Sequence, residues 1–206
     1  MPEHTYDNMI ELIPTIKALG LIGIFLVIFS ESGLLFGVFF PGDSLLFSAG
    51  LIASGGFFNI NTLIIVCMIA AILGDSAGYW MGVKVGRKIL YRDNIPFLRK
   101  KYVEKAEAFY QRYGVVTIII GRFIPIIRTL APVIAGVGKM HYRTFVFYNI
   151  IGGILWVLLL TLSGYFLGKV IPNPDSYILP IIIGIVFMSF LPLVYKYIRW
   201  LFRRDS

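Results

Sequence analysis

Thr144–Gly168 is a run of 25 residues without one charged side chain. As an α-helix it is about 38 Å long, enough to cross the roughly 30 Å hydrocarbon core of a bilayer with some tilt. Ser176–Tyr195 adds 20 uncharged residues, and Ile60–Val83 is a third span whose one charge is Asp75. In hydrocarbon every backbone polar group must be satisfied internally, so such runs fold as helices. Composition agrees: 58% of residues are apolar and 15% are charged. Soluble chains carry roughly 45–50% and about 25%, and disordered ones are still more polar. Both classes are excluded, and an all-α integral membrane protein is expected. One cysteine, Cys67, cannot build a disulfide framework or a Cys-rich zinc site, and two histidines, His4 and His141, offer little histidine chemistry. No metal or cofactor is expected.

The remaining apolar stretches are shorter and broken. Ala18–Ser30 ends at Glu31, Ser32–Gly42 ends at Pro41-Gly42-Asp43, and Ser44–Gly55 ends at a Gly-Gly turn. Val115–Gly138 is interrupted by Arg122, Pro125, Arg128 and Pro132. Proline breaks the helical ladder. Two short apolar limbs around a break describe a re-entrant hairpin better than a span. Broken backbone at membrane depth is tolerated only where protein or a water-filled cavity covers it. One membrane domain, 1–206, is therefore expected. It comprises an apolar, amphipathic helix over 1–30, hairpins over 31–58 and 115–138, spans over 60–83, 144–168 and 176–198, and a basic amphipathic segment over 84–113 that lies in the interface.

The net charge is +8, and the basic residues are clustered: nine lie in Lys84–Arg112 and four in Lys196–Arg204. Next to apolar spans this is the positive-inside pattern rather than a nucleic-acid surface. It puts 84–113, Lys139–Arg143 and the C-terminus in the cytoplasm and the loop Lys169–Asp175 outside. The first hairpin then opens outward and the second inward. The side of the N-terminus stays open, as does whether 18–30 spans. The first eleven residues carry Glu3, Asp7 and Glu11 and no basic residue, unlike a signal peptide.

Two landmarks recur. Ala49-Gly50 matches Ala135-Gly136, and Gly78-Tyr79-x-x-Gly82 matches Gly164-Tyr165-x-x-Gly168, both 86 residues apart. Each half reads as a hairpin plus one span, which crosses the membrane once, so the second copy is inverted. Inverted repeats with broken helices are an architecture of secondary transporters.

Four charges fall where charge is expensive: Glu31, Asp43, Arg122 and Arg128. Each costs at least about 2.5–3.5 kcal/mol at the centre of a bilayer, so the default reading is functional. The alternative is mutual neutralisation in buried salt bridges. On a straight helix each like-charged pair would sit about 120° apart; the breaks at Pro41-Gly42 and Pro125 let each pair reach one cavity wall. Arginine offers a planar fork of donors suited to phosphate. Arg122 and Arg128 are thus candidates to bind an anionic headgroup. Glu31 and Asp43 are candidates to compete for the arginines or to carry a coupling proton, with Asp43 as the cap of a helix that starts there. Asp75 is a secondary candidate, expected to pair with Lys84 or another nearby basic group. Tyr79, Trp80, Trp156 and Tyr165 read as packing or belt aromatics.

At these residues the sequence resembles the DedA family, which contains the VTT (SNARE-associated) domain. The matching stretches are Glu31-Ser32-Gly33, Phe39-Phe40-Pro41-Gly42-Asp43 and Gly74-Asp75-x-x-Gly78-Tyr79-x-x-Gly82. They continue with Gly121-Arg122-Phe123-Ile124-Pro125-x-x-Arg128-Thr129, Ala135-Gly136 and Asn149…Gly152…Trp156. The resemblance implies two facing re-entrant hairpins and a requirement for Glu31, Asp43, Arg122 and Arg128. It also implies translocation of a polyprenyl phosphate, such as undecaprenyl phosphate, or a phospholipid in the bacterial cytoplasmic membrane, tied in some members to proton-motive force. A flippase for a lipid phosphate is the leading reading. A proton-coupled transporter of a small solute or ion, and a general phospholipid scramblase, are the alternatives. A membrane phosphatase lacks its histidine or metal partner, no phosphate loop for ATP is present, and a tether leaves the embedded charges without a role. The expected partner is a membrane lipid rather than nucleic acid, and a homo-oligomer stays open.

Overall fold

The structure, a computed structural model, describes residues 3–33, 42–85, 108 and 110–170. Every regular element among them is helical. The helices are α1 (Glu3–Gly33), α2 (Gly42–Ser54), α3 (Ile60–Val85), α4 (Thr117–Ile120), α5 (Pro125–Val137) and α6 (Tyr142–Val170). Single 3-10 turns, Gly114–Val116 and Gly121–Phe123, flank α4. Among the described residues three stretches are long and apolar enough to cross a membrane: Pro14–Gly33, Ile60–Lys84 and Tyr142–Val170. The limb expected before Pro41, most of the basic segment 84–113, the 176–198 span and the C-terminus lie outside the described residues.

The first helix differs from its expected length. A charge at Glu31 ends the apolar run, so the sequence suggests a helix over 1–30. The structure instead has one helix of 31 residues that runs through Pro14 and Glu31 to Gly33. Glu31 is buried and paired, so its charge does not force the helix to end. α1 runs alongside α3 in the same direction: Gly20 packs on the Phe58 ring, and Gly33 meets the backbone of Gly74. The last turn of α1 therefore stops beside the middle of α3, about 21 Å from Ile60 at 1.5 Å per residue.

Two crossings hold the short helices on the long ones. α2 lies on α6, where a Cβ added at Gly50 would fall 2.0 Å from the Thr161 carbonyl oxygen and one at Gly164 would fall 2.0 Å from that of Phe47. α5 lies on α3, where a Cβ at Gly136 would meet Tyr79 O at 2.1 Å and one at Gly82 would meet Val133 O at 2.1 Å. In a membrane, where burial in protein and in lipid is equally apolar, such small-residue contacts let backbones approach and pack. The two crossings are alike, and Phe47 and Gly50 correspond to Val133 and Gly136 at the offset of 86 residues. On the long helices, however, the equivalent of Gly82 is Gly164, not Gly168. The packing is one helical turn out of register with the Gly-Tyr-x-x-Gly match.

Between α4 and α5 the helical path breaks at Ile124, which is extended (φ −119°, ψ 108°). Pro125 opens α5, where its missing N–H costs no hydrogen bond. The chain folds back there: a Cβ on Gly121 would lie 2.8 Å from Ile127 and 3.8 Å from Ala131. An unbroken helix would hold positions 121 and 131 about 15 Å apart. After α5, the Tyr79 hydroxyl donates to the Met140 carbonyl and pins the turn, in which Lys139 has a positive φ of 54°, to α3.

Gly82→Ala and Gly164→Ala are expected to lower stability by about 1–3 kcal/mol each through overpacking against backbone. Gly23→Ala, with nothing within 4 Å of its Cβ, is expected to be neutral or to stabilise by up to about 1 kcal/mol through helix propensity. Thermal unfolding of the detergent-solubilised chain checks both.

Candidate functional site

Arg128 sits in the first turn of α5, just after the break. Its Nη1 donates to Asp43 Oδ1 at 2.6 Å and its Nη2 donates to Glu31. One guanidinium thus joins carboxylates from α1 and α2. α6 adds Trp156, whose ring lies 5.0 Å from the guanidinium carbon and whose indole N–H donates to Asp43 Oδ1 at 2.9 Å. Four helices meet at this point. Glu31, Arg128 and Trp156 are buried, whereas the Asp43 side chain is 48% exposed, so the cluster opens at Asp43.

Gly42 makes this geometry possible. A Cβ there would fall 1.3 Å from Glu31 Oε2, so any other residue would push the carboxylate aside. Asp43 does not cap α2 as expected. The helix starts at Gly42, and Asp43 lies within its first turn, where the helix dipole favours a negative charge. Its carboxylate is taken up by Arg128 and Trp156 instead. Pro41 lies outside the described residues.

Arg122 belongs to a second set. It sits on the 3-10 turn before the break, and its Nη2 donates to Asp75 of α3 and to the side-chain oxygen of Asn149 on α6. The Asn149 amide in turn donates to the Ile72 carbonyl at 3.1 Å. Gly152 and Gly153 make room for the arginine: a Cβ at either would lie 3.1 Å from Arg122 Cδ or 3.5 Å from Nη2. Arg122, Asp75 and Asn149 are all buried.

The four charges expected around one pocket therefore fall into two ion-paired sets, one on each side of the Ile124 break. Glu31, Asp43 and Arg128 come together. Arg122 joins Asp75, which does not pair with Lys84. Nine residues separate Asp75 and Lys84 on one helix, which places them half a turn out of phase and about 13 Å apart. Asn149 and Trp156 are further site residues, which the sequence alone marks only as span and packing residues. Their signal was present: they are seven residues, two turns, apart on one face of the uncharged run 144–168. Among the described residues no group of three or more His, Cys, Asp or Glu side chains is arranged to hold a metal ion.

Helices able to span a membrane, with ion pairs enclosed between them, define a multi-span membrane protein with a charged interior site. Residues 40–166 match the model of the VTT domain. The chain is 44% identical to Protein DedA of Escherichia coli (strain K12) over 178 residues, 85% of this chain and 81% of that one. It is 42% identical to an uncharacterised membrane protein of Mycobacterium tuberculosis (strain ATCC 25618 / H37Rv), covering 82% and 75% of the two chains. It is 37% identical to the inner membrane protein YqjA of Escherichia coli (strain K12), covering 71% and 66%. The chain belongs to the DedA family. No solved structure matches it.

Removing one member of a buried ion pair leaves the other charge uncompensated and typically costs 3–5 kcal/mol. Arg122→Gln is expected to destabilise by about that amount, and Asp75→Asn/Arg122→Gln to recover much of the loss. Thermal unfolding of the two variants beside the unmodified chain makes the comparison.

Proposed function

We propose that this membrane protein is a translocase for a lipid phosphate, with undecaprenyl phosphate the leading cargo, and that movement is coupled to a proton or ion gradient. The observation that carries this reading is the half-exposed Asp43 on the buried Arg128. A guanidinium fork suits phosphate oxygens as well as it suits carboxylates. Asp43 occupies the fork at the open side, where an incoming phosphate displaces it, and Trp156 keeps the displaced carboxylate hydrogen-bonded.

The charge count supports coupling. Two carboxylates share the one guanidinium of Arg128. Both ionised, they leave one excess negative charge in a low-dielectric site, which a proton on Glu31 or Asp43 removes. Lipid tails need no enclosed path, since α6 presents Leu155, Leu159 and Phe166 as exposed apolar side chains. In this reading the segment 31–58 and the folded-back segment 115–138 are the re-entrant hairpins of an inverted repeat. The two glycine crossings are the contacts that hold each hairpin on the long helix of the other half. The bacterial cytoplasmic membrane is the proposed location, in keeping with the similarity to the inner membrane protein YqjA of Escherichia coli.

The test is reconstitution in liposomes, with movement of undecaprenyl phosphate compared with that of ordinary phospholipids, with and without a pH gradient. Arg128→Ala is expected to reduce movement of the polyprenyl phosphate by roughly a hundredfold, the equivalent of about 2.7 kcal/mol. Arg128→Lys is expected to restore little, because a single ammonium cannot replace the fork. Equal movement of all phospholipids would mark a scramblase. Proton-linked uptake of a small solute with no lipid movement would mark a solute transporter and sink the lipid reading.

A further inference from the structure

The two ion pairs leave polar atoms unused. Ser32 Oγ, Asp75 Oδ1, Arg122 Nε and Nη1, and Arg128 Nε are buried and make no hydrogen bond among the described residues. Buried polar groups are nearly always satisfied, and where protein does not do it, enclosed water does. These atoms are not scattered. Ser32 follows Glu31 on α1, and its side chain presses on Gly74, where a Cβ would lie 2.9 Å from Ser32 Cβ. Gly74 precedes Asp75. Ser32 therefore lies on the α1–α3 contact, next in sequence to the carboxylate on Arg128 and packed against the residue next to the carboxylate on Arg122.

We propose that the Ser32 hydroxyl and enclosed water join the two ion pairs into one proton path, with Asp75 as its inner acceptor. The proposal rests on the reading of the Arg128 cluster as a proton-coupled site and names the route from it. The proton enters where Asp43 meets the open side and is held at Glu31, because two carboxylates face one guanidinium there. The Glu31 O–H bond then breaks as an enclosed water gains that proton and gives one of its own to Ser32 Oγ. The Ser32 hydroxyl proton passes on through water, and a new O–H bond forms at Asp75 Oδ1. Glu31 is left as a carboxylate on Arg128, Asp75 becomes the neutral acid, and the total charge is unchanged. The charged and polar groups around Asp75 are Arg122 from the 3-10 turn, Arg128 from α5 and, through the shared Arg122 guanidinium, Asn149 from α6. Neutralising Asp75 leaves Arg122 without its counter-charge, which ties the position of the proton to the state of the second pair.

Infrared difference spectra of the full chain in lipid nanodiscs, taken between acid and alkaline pH with no lipid phosphate added, test this without reference to transport. The expected result is a carboxylic-acid C=O band that is missing in Asp75→Asn and shifted in Asp75→Glu. Asp75→Asn/Arg122→Gln, which leaves no unpaired charge, is expected to lack the same band and guards against misfolding of the single variant. Ser32→Ala is expected to keep the band but to slow its appearance after a pH jump by roughly tenfold, the scale of one lost hydrogen bond. An unchanged set of bands in both Asp75→Asn variants, or a wild-type rate in Ser32→Ala, overturns the path. If the band and the Ser32 effect are present while the reconstituted chain moves no lipid phosphate, the path stands and the cargo reading falls.

Discussion

One guanidinium sets the arrangement of the middle of this molecule. A charge within a bilayer must be paired or hydrated, and Arg128 is paired twice, by Glu31 at the end of α1 and by Asp43 at the start of α2. Those acids sit on different helices, and Trp156 adds a third surface from α6. The position of Arg128 is fixed in turn by the Ile124 break and by Pro125, which start α5 at that depth. Satisfying this one side chain thus brings α1, α2, α5 and α6 to a common point. The same demand explains why α1 runs on past the last residue of its uncharged stretch.

Buried charges need space as well as partners, and glycine supplies it. Gly42 accommodates the Glu31 carboxylate against its α-carbon, and Gly152 and Gly153 leave the groove that Arg122 occupies. A different use appears at Gly50, Gly82, Gly136 and Gly164, where helix backbones touch directly. Without a hydrophobic drive between helices in lipid, close packing has to supply attraction, and these contacts are where it is greatest. Polar pairing and backbone contact therefore share the task of holding the short helices on the long ones.

Much of this was legible in the sequence. Uncharged run lengths marked the spans α3 and α6, because hydrocarbon thickness imposes a length on them. Pro125 marked the break before α5, and the cost of embedded charge picked out Glu31, Asp43, Arg122 and Arg128. The pairing was not legible. Spacing along a chain gives phase on one helix, but partners on different helices are set by packing, so Arg122 with Asp75 could not be told from Arg122 with Glu31. The repeat shows the same limit. The Ala-Gly landmark keeps its register in the packing, whereas Gly-Tyr-x-x-Gly slips by one turn, since Gly82 and Gly164 meet carbonyls at the centre of the short helices and Gly168 meets the Ser54 side chain at the end of α2. Sequence alone marks Trp156 as a packing residue because its area dominates its one donor, yet that donor shares with Arg128 the task of holding Asp43.

The economy of the interior argues that the two ion pairs do more than hold helices together. A buried pair returns little net stability, and apolar side chains of the same volume often do as well or better. For packing α1, α2 and α5 on the long helices, leucine and alanine would suffice. The molecule instead keeps three carboxylates and two arginines, and leaves Arg122 with two donor nitrogens and Arg128 with one that no described residue satisfies. Full pairing would close those positions. Unused donors beside a half-exposed carboxylate leave room for water and for exchange of one acceptor for another. That is a poor design for rigidity and a suitable one for an anion that must be held briefly and then released.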